Sequence, residues 1–153
     1  MLSLEYNAGF FDGEGCVAIC ARKPHARGQQ STNLDVRVAN TEIPVLLEIQ
    51  AVFGGAIRTL KGHHKPVYVL HLREAAAARF LQAIAPHSVV KSEQIQVALE
   101  YWAFKQAPKS ERCYMKYNGN SPGAQMTKKP ETIEKELNFN MALHVLKGSS
   151  SSV

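Results

Sequence analysis

The chain has 153 residues, 45% of them apolar, and 18 Lys plus Arg against 13 Asp plus Glu give a formal net charge of +5. That apolar content excludes wholesale disorder, and the length suits one domain or at most two very small ones. No apolar run approaches the ~20 residues that span a bilayer, and residues 1–9 show no cationic stretch leading into an apolar one, so neither a membrane partner of that kind nor a signal peptide is expected.

Ser3 can cap a first helix carrying Glu5 in its first turn, with Leu4, Ala8 and Phe11 on one face and the glycines of Asp12-Gly13-Glu14-Gly15 as its end. Cys16 to Arg22 reads as a strand, and residues 23–32 as a polar connection. Asn33 to Ala39 alternates, with Leu34, Val36 and Val38 inward and Asn33, Asp35 and Arg37 outward, the pattern of an antiparallel strand with one free side. Thr41 can cap a second helix whose buried stripe is Ile43, Leu46, Leu47, Gln50 and Phe53, stopped by Gly54-Gly55. Ala56 to Leu60 and Val67 to Leu72 form a second hairpin around a polar loop that holds Lys61, His63, His64 and Lys65. Residues 74–85 make a third helix stopped by Pro86, and Ser92 can cap a fourth with the stripe Ile95, Leu99, Trp102 and Ala103. Residues 107–129 are rich in Lys, Ser, Gly, Asn and Pro and read as irregular. Pro130 opens a last helix with Ile133, Leu137 and Met141 on its apolar side, ending at Lys147-Gly148.

The expected fold class is α+β: an αββαββα order, one four-stranded antiparallel sheet with helices on one face, and further helices at the C-terminus. Residues 1–148 make one domain and 149–153 a flexible tail. The cysteines Cys16, Cys20 and Cys113 are too few and too scattered for a disulfide scaffold or a zinc finger, and they fit a reducing, intracellular setting.

The run Ala8-Gly9-Phe10-Phe11-Asp12-Gly13-Glu14-Gly15, followed directly by a strand, resembles the LAGLIDADG signature of homing endonucleases. Asn7 stands where that family carries an apolar residue, Phe11 replaces its Ile or Val, and Glu14 holds the acidic position. The resemblance implies a site-specific endonuclease acting on a long pseudo-palindromic duplex, built as a homodimer because the motif occurs once, with double-stranded DNA and no small molecule as substrate. It implies Mg²⁺, or Mn²⁺ or Ca²⁺ in its place, at Glu14 and Gly13. Lys91 and Asn40 complete the implied catalytic set, and Ala8, Gly9, Asp12 and Gly13 the dimer interface. For Lys91 a solvated loop lysine, and for Asn40 a turn or helix cap, remain alternatives. The family also includes RNA maturases and non-cleaving DNA-binding regulators.

Chemistry points the same way. Gly9 and Gly13 lie four apart, so two helix backbones could approach closely there. Glu14 falls at a helix C-terminus, already the negative end of the dipole, where a carboxylate favours a bound cation. The free sheet face would carry Arg22, Asn33, Asp35, Arg37, Arg58 and His71 into a major groove, where Arg suits guanine and Asn suits adenine. Ala18, Cys20, Val67 and Val69 on that face would contact thymine methyls or leave room for water. Lys61, Lys105, Lys109, Arg112, Lys116, Lys128 and Lys129 would meet phosphates around its rim.

Overall fold

The computed structural model describes residues 1–22, 31–62, 64–117 and 124–149. Most of the expected polar connection, His63 and residues 150–153 of the expected tail lie outside the described residues, as does the side chain of Lys116.

Helix α1 (Leu4–Glu14) begins as the sequence indicates, with the Ser3 hydroxyl accepting the Tyr6 N–H at 3.1 Å. Asn7, Ala8 and Phe11 are its buried residues, while Leu4 is exposed. The helix runs straight into β1 (Gly15–Arg22), which pairs with β2 (Ser31–Asn40). Helix α2 (Ile43–Phe53), strands β3 (Ala56–Leu60) and β4 (Val67–Arg73), and helices α3 (Ala75–Ile84) and α4 (Ser92–Gln106) complete the expected order. The sheet order is β1-β2-β4-β3, antiparallel throughout.

Register explains how one face of the sheet became the core. Val17 stands opposite Val36, Ile19 opposite Leu34, Val36 opposite Leu72 and Val38 opposite Leu70. These side chains are buried in one cluster with Phe11 of α1, Leu46, Ile49 and Phe53 of α2, Phe80 and Leu81 of α3 and Tyr101 of α4. The helices therefore cover that face. Alternate residues point away: Arg37 is paired with Cys16 and His71, Asp35 with Ala18 and Arg73, and Arg58 with Val69.

Several local expectations are corrected. Residues 107–129 are not irregular among the described residues. They hold the short helix α5 (Lys109–Arg112) and a separate hairpin of β5 (Cys113–Tyr117) with β6 (Ala124–Lys128). Thr41 does not cap α2; the Asn40 side-chain oxygen takes the Glu42 N–H at 2.8 Å instead. Ser92 does not cap α4; its hydroxyl donates to the Val89 carbonyl, and the start of that helix is held by Asp12 of α1. The buried stripe of α2 is Leu46, Ile49 and Phe53, leaving Leu47 exposed, and that of α4 is Ile95, Ala98 and Tyr101, rotated from Leu99, Trp102 and Ala103.

Helix α6 (Pro130–Ser149) departs furthest. Met141 is exposed, and the residues it buries include Thr132, Glu136 and Leu143. They follow a helical spacing, but two of the three are polar. Their partners explain the choice. Thr32 Oγ1 donates to Glu136 at 2.7 Å and itself accepts the Tyr101 hydroxyl at 2.9 Å, while Lys128 donates to both Glu136 oxygens at 2.8 and 2.6 Å. Burial, opposed by the Thr32 hydrogen bond, keeps the Tyr101 phenol protonated well above its ordinary range. Asn140 also donates to the Ile19 carbonyl, so α6 lies over the outer strand β1 and satisfies part of its open edge.

Candidate active site and nucleic-acid interface

The C-terminal turn of α1 gathers the motif residues. Phe11 anchors it, buried and edge-on to Phe80 with ring centroids 5.5 Å apart. Glu14 is exposed, and its carboxylate makes no hydrogen bond or ion pair among the described residues. A methyl group added at Gly9 or Gly13 would meet nothing within 4 Å.

Asp12 faces sideways. Its carboxylate accepts the Ser88 hydroxyl at 2.5 Å and the N–H groups of Val89 at 2.8 Å, Val90 at 3.1 Å and Lys91 at 3.1 Å. In return the Lys91 ammonium donates to the Asp12 carbonyl and lies 5.8 Å from the Phe11 ring centre. A carboxylate on one element thus caps the loop of another, and Lys91 is brought to the helix end that bears Glu14. Burial pushes the Asp12 carboxyl up, but the hydrogen bonds from Ser88, Val89, Val90 and Lys91 together outweigh it and hold the group below its ordinary value.

A depressed carboxyl stabilises the fold above its unfolded pKa, and that contribution is lost as pH falls through the folded value. Asp12→Asn is expected to cost about 1–2 kcal/mol at neutral pH, since charged hydrogen bonds contribute about 1.5–3 kcal/mol and partial exposure weakens them. Urea unfolding at neutral pH and at pH values below the ordinary carboxyl value of 3.8 checks this: the gap between wild type and variant should close in acid.

The outward face of α1 carries Tyr6, Gly9, Phe10 and Gly13, with Tyr6 and Phe10 stacked at 6.1 Å. Val89 and Val90, beside Asp12, are 80% and 69% exposed. Ala8 is buried in the chain's own core and the Asp12 carboxylate is occupied within the chain, so of these four residues Gly9 and Gly13 form the open face of α1. Asn7 is buried with its side-chain oxygen unpartnered, the polar substitute in an otherwise apolar packing position. Asn40 sits at the end of β2, its oxygen committed to the Glu42 N–H.

On the open sheet face, Arg22, Arg37 and Arg58 are exposed and His71 is half-buried. Arg73, one residue past the strand end read from the sequence, joins them; the alternation Val67, Val69, His71 extends to it. Asp35 is buried beneath Arg37 and Arg73, with Nε of Arg37 2.6 Å from Oδ2 and Nε of Arg73 3.6 Å from Oδ1. With its amide oriented to satisfy both sides, Asn33 donates to Glu74 at 2.8 Å and accepts from Arg22 Nε at 3.0 Å. Burial pushes the His71 imidazole below its ordinary value; Asp35 opposes this, and Arg37, Arg58 and Arg73 add to it.

Not every rim cation is free. Lys128 is paired with buried Glu136, Lys105 with Glu74 and the Thr32 carbonyl, and Arg112 Nε with the Ala107 carbonyl. Lys61 and Lys109 are exposed, and Lys129, half-buried, donates its backbone N–H to the Arg112 carbonyl at 2.8 Å.

No protein-family model matches the sequence. No curated protein matches it significantly either. Solved structures do match the fold. The homing endonuclease I-CvuI, crystallised with a DNA target in the presence of Mg, superposes with a TM-score of 0.68 at 17% identity, over 94% of this chain and 80% of that one. The archaeal intron-encoded homing endonuclease I-Vdi141I, complexed with DNA, gives 0.70 at 15% identity over 94% and 82%. The LAGLIDADG homing endonuclease I-GzeII, in complex with a DNA target, gives 0.67 at 12% identity over 92% of this chain and 44% of that one. The chain has the LAGLIDADG homing-endonuclease fold, and the motif that resembles the family's signature lies on its first helix.

Proposed function

We propose that the protein is a site-specific double-strand DNA endonuclease, working as a homodimer with a divalent cation. The observation that carries this reading is the end of α1: an exposed Glu14 carboxylate without a partner among the described residues, with Lys91 held to Asp12 in the same helical turn, on a helix whose glycine face is bare.

The donor set fits a hard cation. Carboxylate and helix-end carbonyl oxygens are the ligands that Mg²⁺, Mn²⁺ and Ca²⁺ accept. Among the described residues no group of three or more His, Cys, Asp and Glu could hold a metal ion. In the proposed homodimer each protomer would supply one Glu14, and close approach of two α1 helices through Gly9 and Gly13 would bring the second beside it. When bound there, the cation would activate water and neutralise charge at the scissile phosphate. Glu14 would hold it through a carboxylate oxygen, with the Gly13 carbonyl beside it. Lys91 would present a positive charge to the attacked phosphate, and Asn40 would order water at the strand end.

The sheet would enter the major groove, with Arg22, Asn33, Arg37, Arg58 and His71 toward base edges. Lys61 and Lys129 would take phosphates, and Lys128 would do so only on leaving Glu136. Asp35 would act beneath the arginines.

Incubation with a randomised duplex library tests the reading. Cleavage products with one common sequence should form with Mg²⁺ and not with EDTA. Binding should weaken linearly on a log–log plot against salt, with a slope of about −0.9 per phosphate contact. Metal-independent cutting, or affinity insensitive to salt, would overturn it.

A further inference from the structure

At the centre of the open face, Cys20, Arg22, Asn33, Asp35, Arg37 and Arg73 line a shallow pit of about 130 Å³. Its floor is the Asp35 side chain, only 5% exposed. Oδ2 accepts the Arg37 Nε–H; Oδ1 is buried with no hydrogen-bond partner and has Arg73 Nε 3.6 Å away. The cross-strand register creates this bracket, because Asp35 faces Arg73 directly and Arg37 is the next outward residue on the same strand.

Arg37 is hydrogen-bonded to the carboxylate through Nε, and Arg73 turns its Nε toward the other oxygen as an ion pair at 3.6 Å. In a planar guanidinium, that leaves the two terminal Nη groups as an outward pair of donors, and both side chains are about half exposed at 50% and 56%. A parallel pair of N–H donors matches O6 and N7 of guanine, the commonest specific contact in a major groove. A free arginine on a sheet would sweep many rotamers; one whose Nε is tied to a buried carboxylate is held in register.

Resting on the endonuclease reading, we propose that Asp35 is a positioning residue that fixes Arg37 and Arg73 as a two-fork reader, so that each half of the target carries guanine beneath this pit. Asp35 makes no base contact of its own. Its effect on sequence choice passes through the arginines.

The test is a binding selection from a randomised duplex library in EDTA, which separates binding from cutting, with the bound pool sequenced. Wild type, Asp35→Asn, Arg37→Lys and Arg73→Lys are compared, and thermal unfolding checks that each is folded. Wild type should enrich guanine at one or two symmetry-related positions per half-site. Asp35→Asn should lower that enrichment about tenfold or more at those positions alone, as should Arg37→Lys, which keeps the charge but lacks the fork. If Asp35→Asn fails to fold, Arg37→Lys and Arg73→Lys still decide the matter through loss at the same positions. An unchanged profile, or flattening spread evenly over the whole site, overturns the assignment. A wild type that enriches no sequence overturns the endonuclease reading instead, so the two failures are distinguishable.

Discussion

Glu14→Gln is expected to abolish strand cleavage while leaving specific DNA binding within a few-fold of wild type. The substitution keeps the shape of the side chain and removes its charge, at a helix end whose carbonyls already favour a cation. Among the described residues Glu14 has no hydrogen-bond or ion-pair partner, so its loss should not perturb the fold. Losing a principal electrostatic contributor at a reacting phosphate costs about 10²–10³-fold in rate, and loss of the proposed acidic ligand should cost at least that. Single-turnover cleavage of a selected site with Mg²⁺, alongside binding in EDTA, measures both quantities. A variant that cuts at the wild-type rate would end the metal assignment; one that neither cuts nor binds would place Glu14 in the interface rather than the chemistry.

The largest effect on stability is expected at Glu136, far from that site. Its carboxylate is 1% exposed and accepts from Lys128 and Thr32. Glu136→Ala strands a largely buried ammonium and leaves the Thr32 hydroxyl without its acceptor. Removing one member of a buried pair costs about 3–5 kcal/mol. Replacing both by apolar groups, Glu136→Leu with Lys128→Met, should recover most of that, because the cost lies in the orphaned charge rather than in the lost attraction. Chemical denaturation of the single and double variants checks the sign and the recovery. A loss below about 1 kcal/mol for Glu136→Ala would mean that the pair is solvated. Lys128→Ala should likewise lower stability more than it changes the salt slope of DNA binding, in contrast to exposed Lys61.

The sheet was legible because two-residue alternation of β-branched and leucine side chains leaves a single register that buries them all. The start of α1 was legible because a serine cap acts locally; its end falls at Gly15 as expected, but in extended backbone with φ −86° rather than the left-handed conformation, glycine being needed there because a Cβ would run into the Phe11 ring. What escaped was made by distance. Asp12 caps a loop 76 to 79 residues away, a role no window around either segment contains. The inward face of α6 is polar because its partner, Thr32, lies 104 residues earlier, so apolar periodicity selected Met141 on the wrong side. The β5–β6 hairpin hides its alternation among lysines and tyrosines. Of the site, Glu14 and Lys91 stood out as separate features; that one carboxylate ties them together did not.

That tie bears on how activity would depend on concentration. Because Asp12 and Lys91 belong to the same polypeptide, a single copy already holds its lysine at the helix end. In the proposed homodimer, turnover would then switch on with encounter and off with dilution, without any melting of the parts.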